Sequence, residues 1–362
     1  QMSTRIFPVS HVPTRYLCML VAADSRQEVR FAANSGLSGR DYNNKSTADS
    51  TTSGSSSSKG NPWDFSQTTI DRKKLKKENF ADFIEMVEYI TTKNRFFQLK
   101  AREATEALKY IGKCFAVISK DKVTSITKNK DNENNESYLN AIQKYADMLN
   151  SALTTDPAVN GASVLFCQAT TCVADLAEVV PETVGPTFST EDSIRRLKSW
   201  LSNTNEELRT AAARVLKLTV RWIPDKNLLQ LTDFLLTNAK DNSPSKLTAK
   251  HGSLHALGSI VVGLQTEICP RVKIVNCIID EVKNETKKSP PVVLMAACDS
   301  IGSIGKAGCL TNAESVTTVD ALIKLTKSKT EETNKLVEHA VVAIGDVCEA
   351  QQQPRQEAID GM

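Results

Sequence analysis

One string invites a phosphate-binding reading: Gly302-Ser303-Ile304-Gly305-Lys306-Ala307-Gly308. A phosphate loop needs a glycine five residues before its Gly-Lys, and Ser or Thr after the lysine to reach magnesium. Ser300 and Ala307 hold those positions. The dinucleotide fingerprint fails as well, because these glycines follow a helical pattern rather than a strand. The string reads as a helix end closed by glycine. His251 and His255 stand i, i+4 on one helical face, as in a zinc-binding HExxH, but Gly252 replaces the general-base glutamate and no third ligand is evident. They read as structural or solvated. Cys167 and Cys172 are poorly spaced to chelate from one helix, and no GxSxG elbow occurs. Trp200 and Trp222 read as packing residues at helix ends. These patterns predict no enzyme: no catalytic residue, no cofactor and no metal. The basic run Arg72, Lys73, Lys74, Lys76 and Lys77 reads first as a solvated helix start, and more sharply as a nuclear-import patch or an acidic-partner contact.

The elements carrying these residues repeat. Leu257-Gly258, Ile301-Gly302 and Ile344-Gly345 stand 44 and 43 residues apart, with degenerate copies at Leu218-Thr219 and Val173-Ala174. A period in this range belongs to HEAT and armadillo arrays, which stack helix pairs. Apolar periodicity predicts paired helices throughout: Val12–Ala23 with Arg26–Leu37, Phe80–Ile90 with Ala101–Ile118, and Tyr138–Leu153 with Ala162–Val180, ended by Pro181. Four more pairs follow, closing with Ser315–Leu325 and Asn334–Cys348. No sustained period-two pattern appears. The fold class is therefore all-α, a HEAT-like α-solenoid of stacked antiparallel helix pairs. The second helix of each pair carries the small residues, and Gly258, Gly302 and Gly345 are expected to mark close approach between layers.

The expected organisation is a helix pair over 1–39, a Ser/Thr/Gly-rich loop over 40–70, a pair over 71–119 and a polar loop over 120–137. A regular array of about five pairs spans 138–350, and 351–362 is an open end. At 362 residues the chain exceeds what one growing core supports. Its net charge of +3 points to neither nucleic acid nor a membrane surface. Nine cysteines, an odd number without CxxC spacing, read as free thiols in helices. A start at Gln1 suggests part of something longer.

Several strings resemble a family of very large HEAT-repeat proteasome adapter and scaffold proteins. They are Phe7-Pro8-Val9-Ser10-His11-Val12-Pro13-Thr14-Arg15-Tyr16-Leu17, His251-Gly252-Ser253-Leu254-His255-Ala256-Leu257-Gly258, Ala296-Ala297-Cys298 with Ile304-Gly305, and Glu332-Thr333-Asn334-Lys335. The stretches Arg40–Gln67 and Lys120–Ser137 depart from that pattern. The resemblance implies a non-enzymatic adaptor bridging the proteasome core and regulatory particles, with vesicle or motor proteins as further partners. It implies a cytoplasmic and nuclear location, with peripheral association at endoplasmic reticulum and endosomes, no nucleic-acid partner and no membrane span. A nuclear transport receptor built from HEAT repeats is the alternative. Such receptors are acidic as a class, which the charge of +3 disfavours.

Overall fold

The computed structural model describes residues 7–37, 77–118, 133–264, 270–283, 289–327 and 334–350. Helices dominate, and no strand occurs among the described residues. No helix among them is long and apolar enough to cross a membrane. The chain divides into two compact units, 1–183 and 184–362.

In the first unit, α1 (Val12–Ala22) and α2 (Gln27–Leu37) form an antiparallel pair. Pro13 sits in the first turn of α1, where a missing N–H costs nothing. Asp24 makes the turn between them, accepting from the Arg26 backbone N–H at 2.8 Å. Next come α3 (Phe83–Thr91) with α4 (Ala101–Ala116), and α5 (Glu133–Leu153) with α6 (Ala162–Ala177). Asp82 caps α3 by accepting from Ile84 and Glu85 N–H groups, so the helix starts three residues after the expected Phe80. Helix α3 packs on α5, α4 packs on α6, and α1 makes the main contact to α3 and α4. Phe83, Phe115 and Tyr145 join three of these helices, with ring centroids 5.2–6.4 Å apart.

Two expectations need correction. Helix α5 begins at Glu133, inside the stretch read as a polar loop to Ser137. The helix runs on upstream of the amphipathic pattern that starts at Tyr138. Pro181, read as a stop, begins the short helix α7 (Pro181–Phe188). Proline is as well suited to the first helical position as to the residue after a helix, so its presence marks a boundary without giving its direction.

The second unit holds four pairs: α8 (Glu191–Leu201) with α9 (Glu206–Thr219), α10 (Asp225–Lys240) with α11 (Leu247–Leu264), α12 (Arg271–Lys283) with α13 (Pro291–Lys306), and α14 (Asn312–Thr326) with α15 (Asn334–Ala350). Caps fix their starts. Thr190 accepts from Ser193 N–H, Asn205 from Glu207 and Leu208 N–H, and Thr311 forms a capping box with Glu314. The second helices pack in series, α9 on α11, α11 on α13, α13 on α15, and the first helices form the other layer. Helix α11 is buried on nearly every face, so its apolar residues show no single stripe.

Candidate interaction surfaces

The repeat is set by backbone approach between helices of successive pairs. A Cβ on Gly252 would lie 1.9 Å from the Leu201 carbonyl oxygen, and one on Gly263 2.3 Å from that of Lys217. At Gly258 it would meet Ser300 Cβ at 2.9 Å, and at Gly302 Ala343 Cα at 3.0 Å. The apolar partners Leu257, Ile301 and Ile344 are buried beside these glycines. Gly345 departs from expectation: it is exposed, and an added Cβ would meet nothing within 4 Å. No described helix stacks on that face of α15, so the glycine there has no close approach to permit. Gly185 serves another contact, lying against the Trp222 ring.

Polar rungs at nearly the same interval cross the layers. Arg209 Nε donates to His251 Nδ1 at 3.1 Å, and Arg221 Nε to the Gly263 carbonyl at 2.9 Å. Asp299 meets His339 at 2.5 Å, and Lys306 pairs with Asp346 at 2.9 Å. Arg271 reaches Glu314 and the Cys309 carbonyl. His251 is buried, and Arg209 also donates to the carbonyls of Asn203 and Thr204. Burial first, and the adjacent guanidinium second, lower the His251 pKa to about 4, so its ring is neutral near pH 7 and free to accept. His255 packs edge-on against His251, ring centroids 4.8 Å apart, and is shifted the same way by burial and by that neighbour.

Sequence reasoning missed the charged pair at the centre of this unit. Lys250 Nζ lies 2.8 Å from Glu281 Oε2 with both side chains buried. Asn242 accepts a second bond from the ammonium, and Ser289 donates to the carboxylate. A lysine in an apolar helix beside His251 was the available signal. In the first unit, fully buried Arg15 donates to the carbonyls of Phe7, Pro8 and Val9. Two of the strings that carry the family resemblance therefore do packing work.

The remaining sequence candidates separate cleanly. Of the basic run, Arg72, Lys73, Lys74 and Lys76 lie outside the described residues, and Lys77 opens an exposed 3-10 turn, Lys77–Asn79. Gly302 and Gly305 sit inside α13 and face α15. Gly308, at φ +68°, ends the helix in a Schellman motif, with Gly308 N–H on Gly305 O and Cys309 N–H on Ile304 O. The eight described cysteines are free thiols, and Cys269 lies outside the described residues. Burial pushes Cys172 up to about 11 and Cys298 to about 12, which keeps both protonated. No group of three or more His, Cys, Asp or Glu residues able to hold a metal occurs among the described residues. Trp200 is buried in α8, as a packing residue should be.

These helix pairs are similar to repeats of known proteins. Residues 116–267 match the family described as ECM29, ARM-like repeats. Over that stretch the chain is similar to ECM29-type repeats. The human proteasome adapter and scaffold protein ECM29 is 23% identical over 408 aligned residues, covering 95% of this chain. The chain spans 20% of the length of that ECM29 relative. Among solved structures, a designed armadillo repeat protein in complex with the peptide (KR)4 is similar at a TM-score of 0.38 and 15% identity. It covers 73% of this chain and 100% of its own. An engineered protein is similar at a TM-score of 0.40 and 14% identity, covering 75% of this chain and 100% of its own.

Proposed function

We propose that this chain is a non-enzymatic scaffold segment that binds the proteasome and stabilises or monitors the pairing of its core and regulatory particles. The observation that carries the reading is the match, along almost the whole chain, to a protein named as a proteasome adapter and scaffold. The physical organisation supports it. Stacked helix pairs hold large partners through many contacts spread along an extended face, and need no bound cofactor for it. Titratable groups in the second unit are spent on joints between repeats rather than gathered in a cleft. Vesicle or motor proteins are further partners on this reading. Its location is cytoplasmic and nuclear, with peripheral association at endoplasmic reticulum and endosomes.

The test is co-sedimentation of the endogenous full-length protein with proteasomes through a density gradient. Co-migration that survives washing at moderate salt is expected. Full-length protein that never enters the proteasome fractions, and instead binds the nucleotide-loaded small GTPase of nuclear transport, overturns the assignment.

A further inference from the structure

In the first unit, the connections α3–α4 and α5–α6 lie side by side, because α3 packs on α5 and α4 on α6. The two touch where Gly161, at φ +90°, brings the α5–α6 connection against α4: a Cβ there would sit 3.2 Å from Arg102 Cγ. Three large apolar side chains face solvent along this edge. Phe97 is 54% exposed, Val159 44% and Val164 56%. The neighbouring Phe96 is buried and meets Phe97 edge to face, so the exposed ring stands on a fixed base.

The edge is net basic: its acids, Asp156 and Glu103, accept from the Ala158 and Lys100 backbone N–H groups, and four cations outnumber them. Residues 92–102 hold Lys93, Arg95, Lys100 and Arg102 and no acid, in a chain whose entire net charge is +3. Lys93, Lys100 and Arg102 are exposed. Arg95 serves the loop itself, lying 4.0 Å over the Tyr89 ring and donating to the Tyr89 and Thr92 carbonyls. The same turn contains Lys93 and Asn94 at φ 57° and 55°, the only non-glycine residues with positive φ among those described. Consecutive left-handed residues with side chains cost free energy, and such turns concentrate where a loop must present particular groups.

We propose that this edge docks an acidic segment of a partner protein, one that carries an apolar side chain between its carboxylates. Phe97, Val159 and Val164 receive the apolar group, while Lys93, Lys100 and Arg102 take the flanking carboxylates. Aliphatic Val159 and Val164 disfavour single-stranded nucleic acid, which is held by several aromatic rings interleaved with cations. The inference rests on the edge alone and holds whichever assembly the chain serves.

The experiment is fluorescence anisotropy of the intact chain with a labelled peptide of Asp and Glu around a central Leu-Leu. Controls are its lysine counterpart and an acidic peptide with Ser-Ser at the centre. The wild type is expected to prefer the acidic Leu-Leu peptide over both, and to lose affinity as salt rises. Phe97→Ser with Val164→Ser should weaken binding by about tenfold or more, as expected when an exposed apolar anchor is removed. Lys93→Glu with Lys100→Glu should weaken it as much; all four positions are exposed, and circular dichroism checks the fold of both variants. Equal binding of the acidic and lysine peptides overturns the proposal, as does wild-type affinity in both variants. So does tighter binding of single-stranded RNA that only the lysine substitutions abolish.

Discussion

Adding one methyl group at Gly252 sets the tightest joint in the second unit against intrinsic helix preference. In an open helix position Gly→Ala stabilises by about 1 kcal/mol. Here the new Cβ would stand 1.9 Å from the Leu201 carbonyl oxygen, where ordinary contact begins at 3.4 Å, and 2.8 Å from its carbonyl carbon. The obstacle is backbone, which cannot rotate away as a side chain does. Helices α8 and α11 must separate by more than 1 Å, and Arg209, 3.2 Å from the same Cβ, must move with them. Overpacking of this kind costs roughly 1–3 kcal/mol, which exceeds or cancels the propensity gain. Gly345→Ala supplies the control, because its Cβ enters open space and should stabilise by about 1 kcal/mol. Urea unfolding followed by tryptophan fluorescence reads both, with Trp200 and Trp222 in this unit. Thermal midpoints should move apart by about 2–4 °C per kcal/mol. A Gly252→Ala protein more stable than wild type, or a Gly345→Ala protein less stable, refutes the reasoning.

Two further outcomes follow from the polar groups of the same unit. His251 has a folded-state pKa below its unfolded value, so its contribution is full above about pH 6.5 and is lost as pH falls toward 4. Wild type should therefore lose stability between about pH 7 and pH 5, and His251→Gln should lose less over the same window; parallel urea midpoints in the two proteins would exclude the mechanism. Lys250→Met leaves the Glu281 carboxylate buried without its cation and should cost about 3–5 kcal/mol, whereas Lys250→Met with Glu281→Leu should recover most of that. Calorimetry of the two variants checks it, and a double variant no better than the single one would assign the loss to packing instead.

The helix ladder was legible because its signals are local. Val12, Ala101, Leu247 and Asn334 begin or lie at the start of helices where apolar periodicity, proline or a capping residue announces them. Glycine register was legible for Gly258 and Gly302, since an interior glycine is costly unless something approaches it. It misled at Gly345, because a dipeptide repeat in the sequence does not say whether a neighbour is stacked on it. The joints were hidden for a related reason. His251 meets Arg209, and Lys250 meets Glu281, across intervals that only stacking defines, and a polar residue in an apolar helix does not name its partner. The exposed edge at Phe97 was equally silent: two loops far apart in sequence acquire a common surface only when α3–α6 are packed.

Crosslinking mass spectrometry of the intact full-length protein on purified proteasomes tests the central claim most directly. A scaffold segment should give crosslinks from its own exposed lysines, such as Lys93, Lys100 and Lys306, to subunits of the core or regulatory particle. Crosslinks from the rest of the same protein, with none from this segment, would contradict the account.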